Sequence, residues 1–101
     1  MEDRDYRLVA SALNDSYACE DDDESFSILE GGIRHRPRHK FELREALQII
    51  LKRHDMEECK NLVEWEANRY MNSGEEAYQW LSDLYNRLEV VWQKLEETAG
   101  A

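Results

Sequence analysis

Six apolar residues near the C-terminus, Ala77, Leu81, Leu84, Leu88, Val91 and Leu95, are separated alternately by four and three positions. That spacing is a heptad seam, which only a helix can gather onto one side. Tyr78, Tyr85 and Trp92 form a second stripe beside it at intervals of seven, and Trp80 lies away from both. A helix over about 75–97 would be some 35 Å long at the usual rise per residue. A seam of that length has to be covered by other helices or by another molecule.

The rest of the chain supplies partners. Leu43, Leu47, Ile50 and Leu51, with Ala46 beside them, predict a helix from Phe41 to about His54. Asp55-x-x-Glu58 and Ser73-x-x-Glu76 have the form of capping boxes, so new helices start at both places. Cys59, Leu62, Val63, Ala67 and Tyr70 are expected on the inner face of the first of these. Tyr6, Val9, Ala10 and Leu13 predict an N-terminal helix over 3–14. The fold expected is mainly α: three main helices, about 41–54, 55–72 and 74–97, plus the N-terminal one. The sharp turns at Asp55 and at Ser73-Gly74 favour antiparallel neighbours. With 101 residues, this is a single domain.

Residues 15–40 read differently. Glu20, Asp21, Asp22, Asp23 and Glu24 repel one another, which predicts an exposed acidic loop over 15–24. Phe26 and Ile28 alternate as in a short strand, while Asp23 and Gly31 would equally bracket a single helical turn. Gly31-Gly32 permits a bend. Arg34, Arg36, Arg38 and Lys40, with His35, Pro37 and His39, predict an extended basic linker or arm over 31–40. A short β or irregular segment around residues 25–40 is therefore expected beside the bundle.

Charge narrows the function. The net charge is −10, with the basic strip set between two acidic blocks. Phosphate would be repelled by most of the surface, whereas a basic protein surface would be attracted. Carboxylates on a helix face recur about every 5–6 Å, near the spacing of phosphates along a nucleic-acid strand. The acids at 20–24, joined by Glu57, Glu64, Glu66, Glu75 and Glu76, therefore either imitate a phosphate track or are solvated faces that maintain solubility. Arg34, Arg36, Arg38 and Lys40 either reach phosphates, pair with the chain's own acids, or contact an acidic partner. No aromatics are interleaved with them to stack on single strands. The surplus aromatics Tyr78, Trp80, Tyr85 and Trp92 either fill a wide core or form an interface with a partner or a second copy in a homodimer.

Chemistry is sparse. The sequence has no Gly-rich phosphate loop, nucleophile elbow or metalloprotease motif, and no enzymatic activity is expected. His35 and His39 are separated by Pro37 and flanked by cations, and Cys19, His54 and Cys59 form no ligand framework, so no metal or cofactor is expected. Both cysteines are expected to be reduced. The N-terminus, Met1-Glu2-Asp3-Arg4-Asp5, does not read as a signal peptide, and no apolar run is long enough to cross a membrane. A cytoplasmic location is expected.

The opening Asp5-Tyr6-Arg7-Leu8-Val9-Ala10-Ser11-Ala12-Leu13 resembles the first helix of many short phage- and prophage-encoded proteins. In size, acidity and lack of enzymatic motifs the chain is similar to phage-borne inhibitors of host defence, anti-CRISPR proteins among them. The resemblance implies a protein that blocks a nucleic-acid-handling complex, by occupying its basic groove or by locking its conformation. It carries over no functional residue.

Overall fold

The computed structural model describes residues 4–18, 21–35 and 41–99. Within them every regular element is helical: α1 (Arg4–Ser16), α2 (Asp22–His35), α3 (Glu42–Arg53), α4 (Met56–Asn61), a π-helical turn (Leu62–Glu66) and α5 (Gly74–Ala99). The bundle forms around α5. Helices α3 and α4 pack on it directly and α2 more lightly, while α1 lies against α3, α2 and the π-helical turn. No described helix is long and apolar enough to cross a membrane.

The heptad residues do what their spacing predicts. Ala77, Leu81, Leu84, Leu88 and Val91 are buried, with Leu95 partly covered at the seam's end. They meet Val9 and Leu13 of α1, Leu29 and Ile33 of α2, Ala46, Leu47 and Ile50 of α3, and Cys59, Leu62 and Val63 in one core. Burying a large aliphatic side chain contributes roughly 1.5–3 kcal/mol, so this shared core outweighs local preferences where the two disagree.

Helix α2 is such a case, and it corrects the expected loop, short element and bend over 15–35. Asp21 is its cap: Oδ1 accepts hydrogen bonds from the amides of Asp23 (2.9 Å) and Glu24 (3.0 Å). Asp22, Asp23 and Glu24 form the first turn, where the helix dipole offsets their mutual repulsion. The helix runs on through Gly31 and Gly32, neither of which has a positive φ. Two interior glycines cost about 1 kcal/mol each relative to alanine. Burial of Ser25, Leu29 and Ile33, each four residues apart, outweighs that cost. Arg34 and His35, expected in the arm, form the last turn of α2. The remainder of the expected arm, residues 36–40, lies outside the described residues, as does Glu20.

The expected helix over 55–72 is also shorter. It starts as predicted, with Asp55 accepting from the amide of Glu58 at 3.1 Å. At Leu62 the hydrogen bonding widens: the Ala67 amide donates to the Leu62 carbonyl and the Arg69 amide to the Val63 carbonyl, both at 3.1 Å. Asn68 then takes a left-handed conformation, φ 57°, and the helix stops. Beyond that point Met71 is buried and Tyr70 points outward, reversing the inner-face position expected for Tyr70.

Helix α5 starts where Ser73 Oγ accepts from the Glu76 amide at 3.2 Å. A Cβ on Gly74 would fall 2.5 Å from Met56 Cβ and 2.7 Å from its carbonyl oxygen, so only glycine admits this approach of α5 to α4. At the other end, Arg44 of α3 clamps Glu89 and Glu96 of α5, and Gln48 donates to the Tyr85 hydroxyl at 2.8 Å.

Candidate macromolecular interface

The widened turn after α4 and the segment that follows it display the most exposed large hydrophobic side chains among the described residues. Trp65 is 73% exposed and Tyr70 79%. Surface apolar residues found singly need no explanation, but Trp and Tyr carry a disproportionate share of interface energy. Both project from a segment that is firmly held.

Arg69 does much of the holding. Its Nε donates to Asp22 Oδ1 at 2.6 Å, and Nη1 donates to the carbonyls of Ala67 (3.1 Å) and Asn68 (3.3 Å). Its guanidinium carbon lies 5.3 Å from the centre of the Tyr17 ring. Asn68 Nδ2 donates to the Tyr17 carbonyl at 3.3 Å, Asn14 Nδ2 to Glu66 Oε2 at 3.2 Å, and the Met71 amide to Glu64 Oε1 at 3.3 Å. These bonds tie the turn to the end of α1 and the acidic first turn of α2. Tyr17 is itself packed edge-on against Trp80, with ring centres 5.3 Å apart, and burial raises its pKa.

The acids expected as a binding loop are thus arrayed on a helix start. Asp21, Asp22, Asp23 and Glu24 are all exposed. Asp22 is engaged with Arg69, and Asp23 lies 3.9 Å from Arg87, whose guanidinium stacks over Phe26. Of the basic strip, Arg34 pairs back onto Glu30 at 2.9 Å, while Arg36, Arg38 and Lys40 lie outside the described residues.

The aromatics expected as an interface on α5 are largely absorbed by the chain itself. Trp92 is fully buried and belongs to no surface. Tyr85 is half-buried and tilted against Trp92, with centres 6.0 Å apart. Trp80 packs on Tyr17, and Tyr78 stacks on His54 at 3.7 Å. Trp65 is the residue that sequence reasoning passed over. The signal was present: it sits between Glu64 and Glu66, off the stripe of Cys59, Leu62, Val63 and Ala67 at the helical period.

The arrangement suits recognition. An indole face attracts a guanidinium or ammonium group, and flanking carboxylates pair with the same cations. The Cys59 thiol is buried and pushed up to about 11, burial being the main cause, followed by the charges of Glu58, Asp55 and Glu75. Among the described residues no group of three or more His, Cys, Asp or Glu is placed to hold a metal ion. No family model, curated protein or solved structure matches the chain.

Proposed function

We propose that this chain is a non-catalytic binding protein that engages a basic surface on a protein partner, with Trp65 and Tyr70 as anchors and the acids at 21–24 as the flanking charge. The observation that carries the reading is the display of two exposed aromatics on a turn held by hydrogen bonds to α1 and α2. A backbone held before contact loses little conformational freedom when its side chains bind, which favours affinity. The net charge of −10 would speed the encounter with a cationic partner. Among regulators of this chemistry, an inhibitor that covers the basic groove of a nucleic-acid-handling complex, of the anti-defence kind carried by phages, suits the surface best. The direct test is capture of partners from bacterial lysate by the tagged chain, at low and high salt, beside Trp65→Ala and Tyr70→Ala. The reading requires a cationic partner that is retained at low salt, lost at high salt and lost with either substitution. A partner held equally by all three proteins would remove the turn from consideration.

A further inference from the structure

A second surface lies elsewhere on the molecule. Helices α1 and α2 and the start of α3 enclose an open groove of about 800 Å³. Leu8, Ala12, Ile28, Leu29, Ile33 and Leu43 give it an apolar lining, and Ile28 remains 47% exposed. The charged residues that line it, Asp15 and Glu42, are both acidic, and Glu42 also pairs with the exposed Arg4 at 3.5 Å. Gly32 lines it as well, and there the backbone offers a second observation. Gly32 has no positive φ, and a Cβ added to it would meet nothing within 4 Å beyond its own helix. The fold therefore does not require glycine at a helical position where alanine would be more stable. Glycine on a groove wall allows close approach of another backbone.

We infer that this groove receives a basic amphipathic helix from a protein partner, its apolar side chains on Leu8, Ile28 and Leu43 and its Lys or Arg residues toward Asp15 and Glu42. A small polar metabolite suits the groove less well. Such sites need convergent polar groups, and the Ser16 hydroxyl is already committed to the Ala12 carbonyl at 2.6 Å. An apolar groove with an acidic rim matches instead the way amphipathic helices dock, through anchors at successive turns. None of the lining residues belongs to the Trp65 turn, so the inference stands independently of the function proposed for that turn.

The test uses a fluorescein-labelled peptide of about 14 residues, the length of α2, with Leu and Lys at helical spacing. A peptide of the same composition in alternating order is the control, and binding is followed by anisotropy and by amide NMR. The helical peptide is expected to bind the full chain and the alternating one to bind weakly. Gly32→Leu, which fills the groove, should weaken binding by at least about tenfold. Gly31→Ala and Trp65→Ala should leave it unchanged. Shifts should centre on Ser11, Asp15, Ile28 and Gly32. Circular dichroism of Gly32→Leu controls for folding, which should be retained because leucine favours helix over glycine. Equal binding of both peptides, undiminished binding to Gly32→Leu, or shifts centred on Trp65 and Tyr70 would each overturn the inference. Retention of groove binding in a Trp65→Ala protein that has lost its lysate partner would separate the two surfaces.

Discussion

Arg69 Nε and Asp22 Oδ1 lie 2.6 Å apart, joining the turn that carries Trp65 and Tyr70 to a helix start 47 residues earlier in the chain. Asp22 is more than half exposed, so the ion pair alone is worth little. Arg69 also satisfies the carbonyls of Ala67 and Asn68, which the end of the helix leaves open. Arg69→Ala is expected to destabilise the fold by about 1–2 kcal/mol, measured by urea unfolding. Arg69→Lys should recover only part of this, because an ammonium cannot serve acceptors in a fixed fork. An unchanged midpoint in Arg69→Ala would mean that Asn68 and Glu64 hold the turn without it.

The glycines separate geometric need from local preference. Gly74→Ala drives a methyl into the Met56 backbone and should cost about 1–3 kcal/mol. Gly31→Ala meets open space and should stabilise the fold by up to about 1 kcal/mol. Thermal unfolding of the two variants should therefore shift in opposite directions.

The Arg44 clamp should be visible in acid. Burial pushes the Glu89 carboxyl up, but hydrogen bonds from Arg44, Tyr85 and Gln93 and the Arg44 charge outweigh it and hold its pKa below the ordinary 4.5. A carboxyl lowered on folding stabilises the native state above its unfolded pKa. That contribution disappears as pH falls from about 4.5 through the lower native value. Glu89→Gln should lower stability at neutral pH and lessen its decline on acidification. Parallel acid limbs for the two proteins would assign the decline to other carboxylates.

Cys59 tests the core. In a Cys19→Ser background its thiol should resist alkylation at pH 8 in the native state and react fully in urea, because it is buried and its pKa stands near 11. With the native pKa raised above the unfolded one, stability should hold below about pH 9 and decline as pH rises toward 11. Rapid native alkylation would show that α4 opens locally.

What the sequence made legible follows from the range of each interaction. The seam on α5 and the caps at Asp55 and Ser73 are repeats or contacts within one or two turns, and they appear where expected. Helix α2 was obscured because its local signals, an acidic run and a glycine pair, both argue against helix. What overrides them is burial of Leu29 and Ile33 against α1 and α5. Tyr70 was misplaced because widening at Leu62 breaks the helical register. Trp92 appeared surplus while only one face of α5 was considered. Its burial is a property of the assembled bundle, in which α2, α3 and α4 pack on α5, and no single segment encodes it.

The three tryptophans give the candidate interface its own optical signature. Trp92 is fully buried, Trp80 is half-buried beside Tyr17, and Trp65 is open to solvent. Acrylamide should quench a red-shifted fraction of the emission that Trp65→Phe removes, leaving a bluer, protected remainder. If Trp65 anchors a partner, complex formation should shift that same fraction to the blue and shield it, since an anchor side chain loses its water on binding. The Trp65→Phe protein should show neither change. A partner that binds while the Trp65 fraction stays red and fully quenchable would place the interface elsewhere, and the acids at 21–24 would then have to act without the aromatic turn beside them.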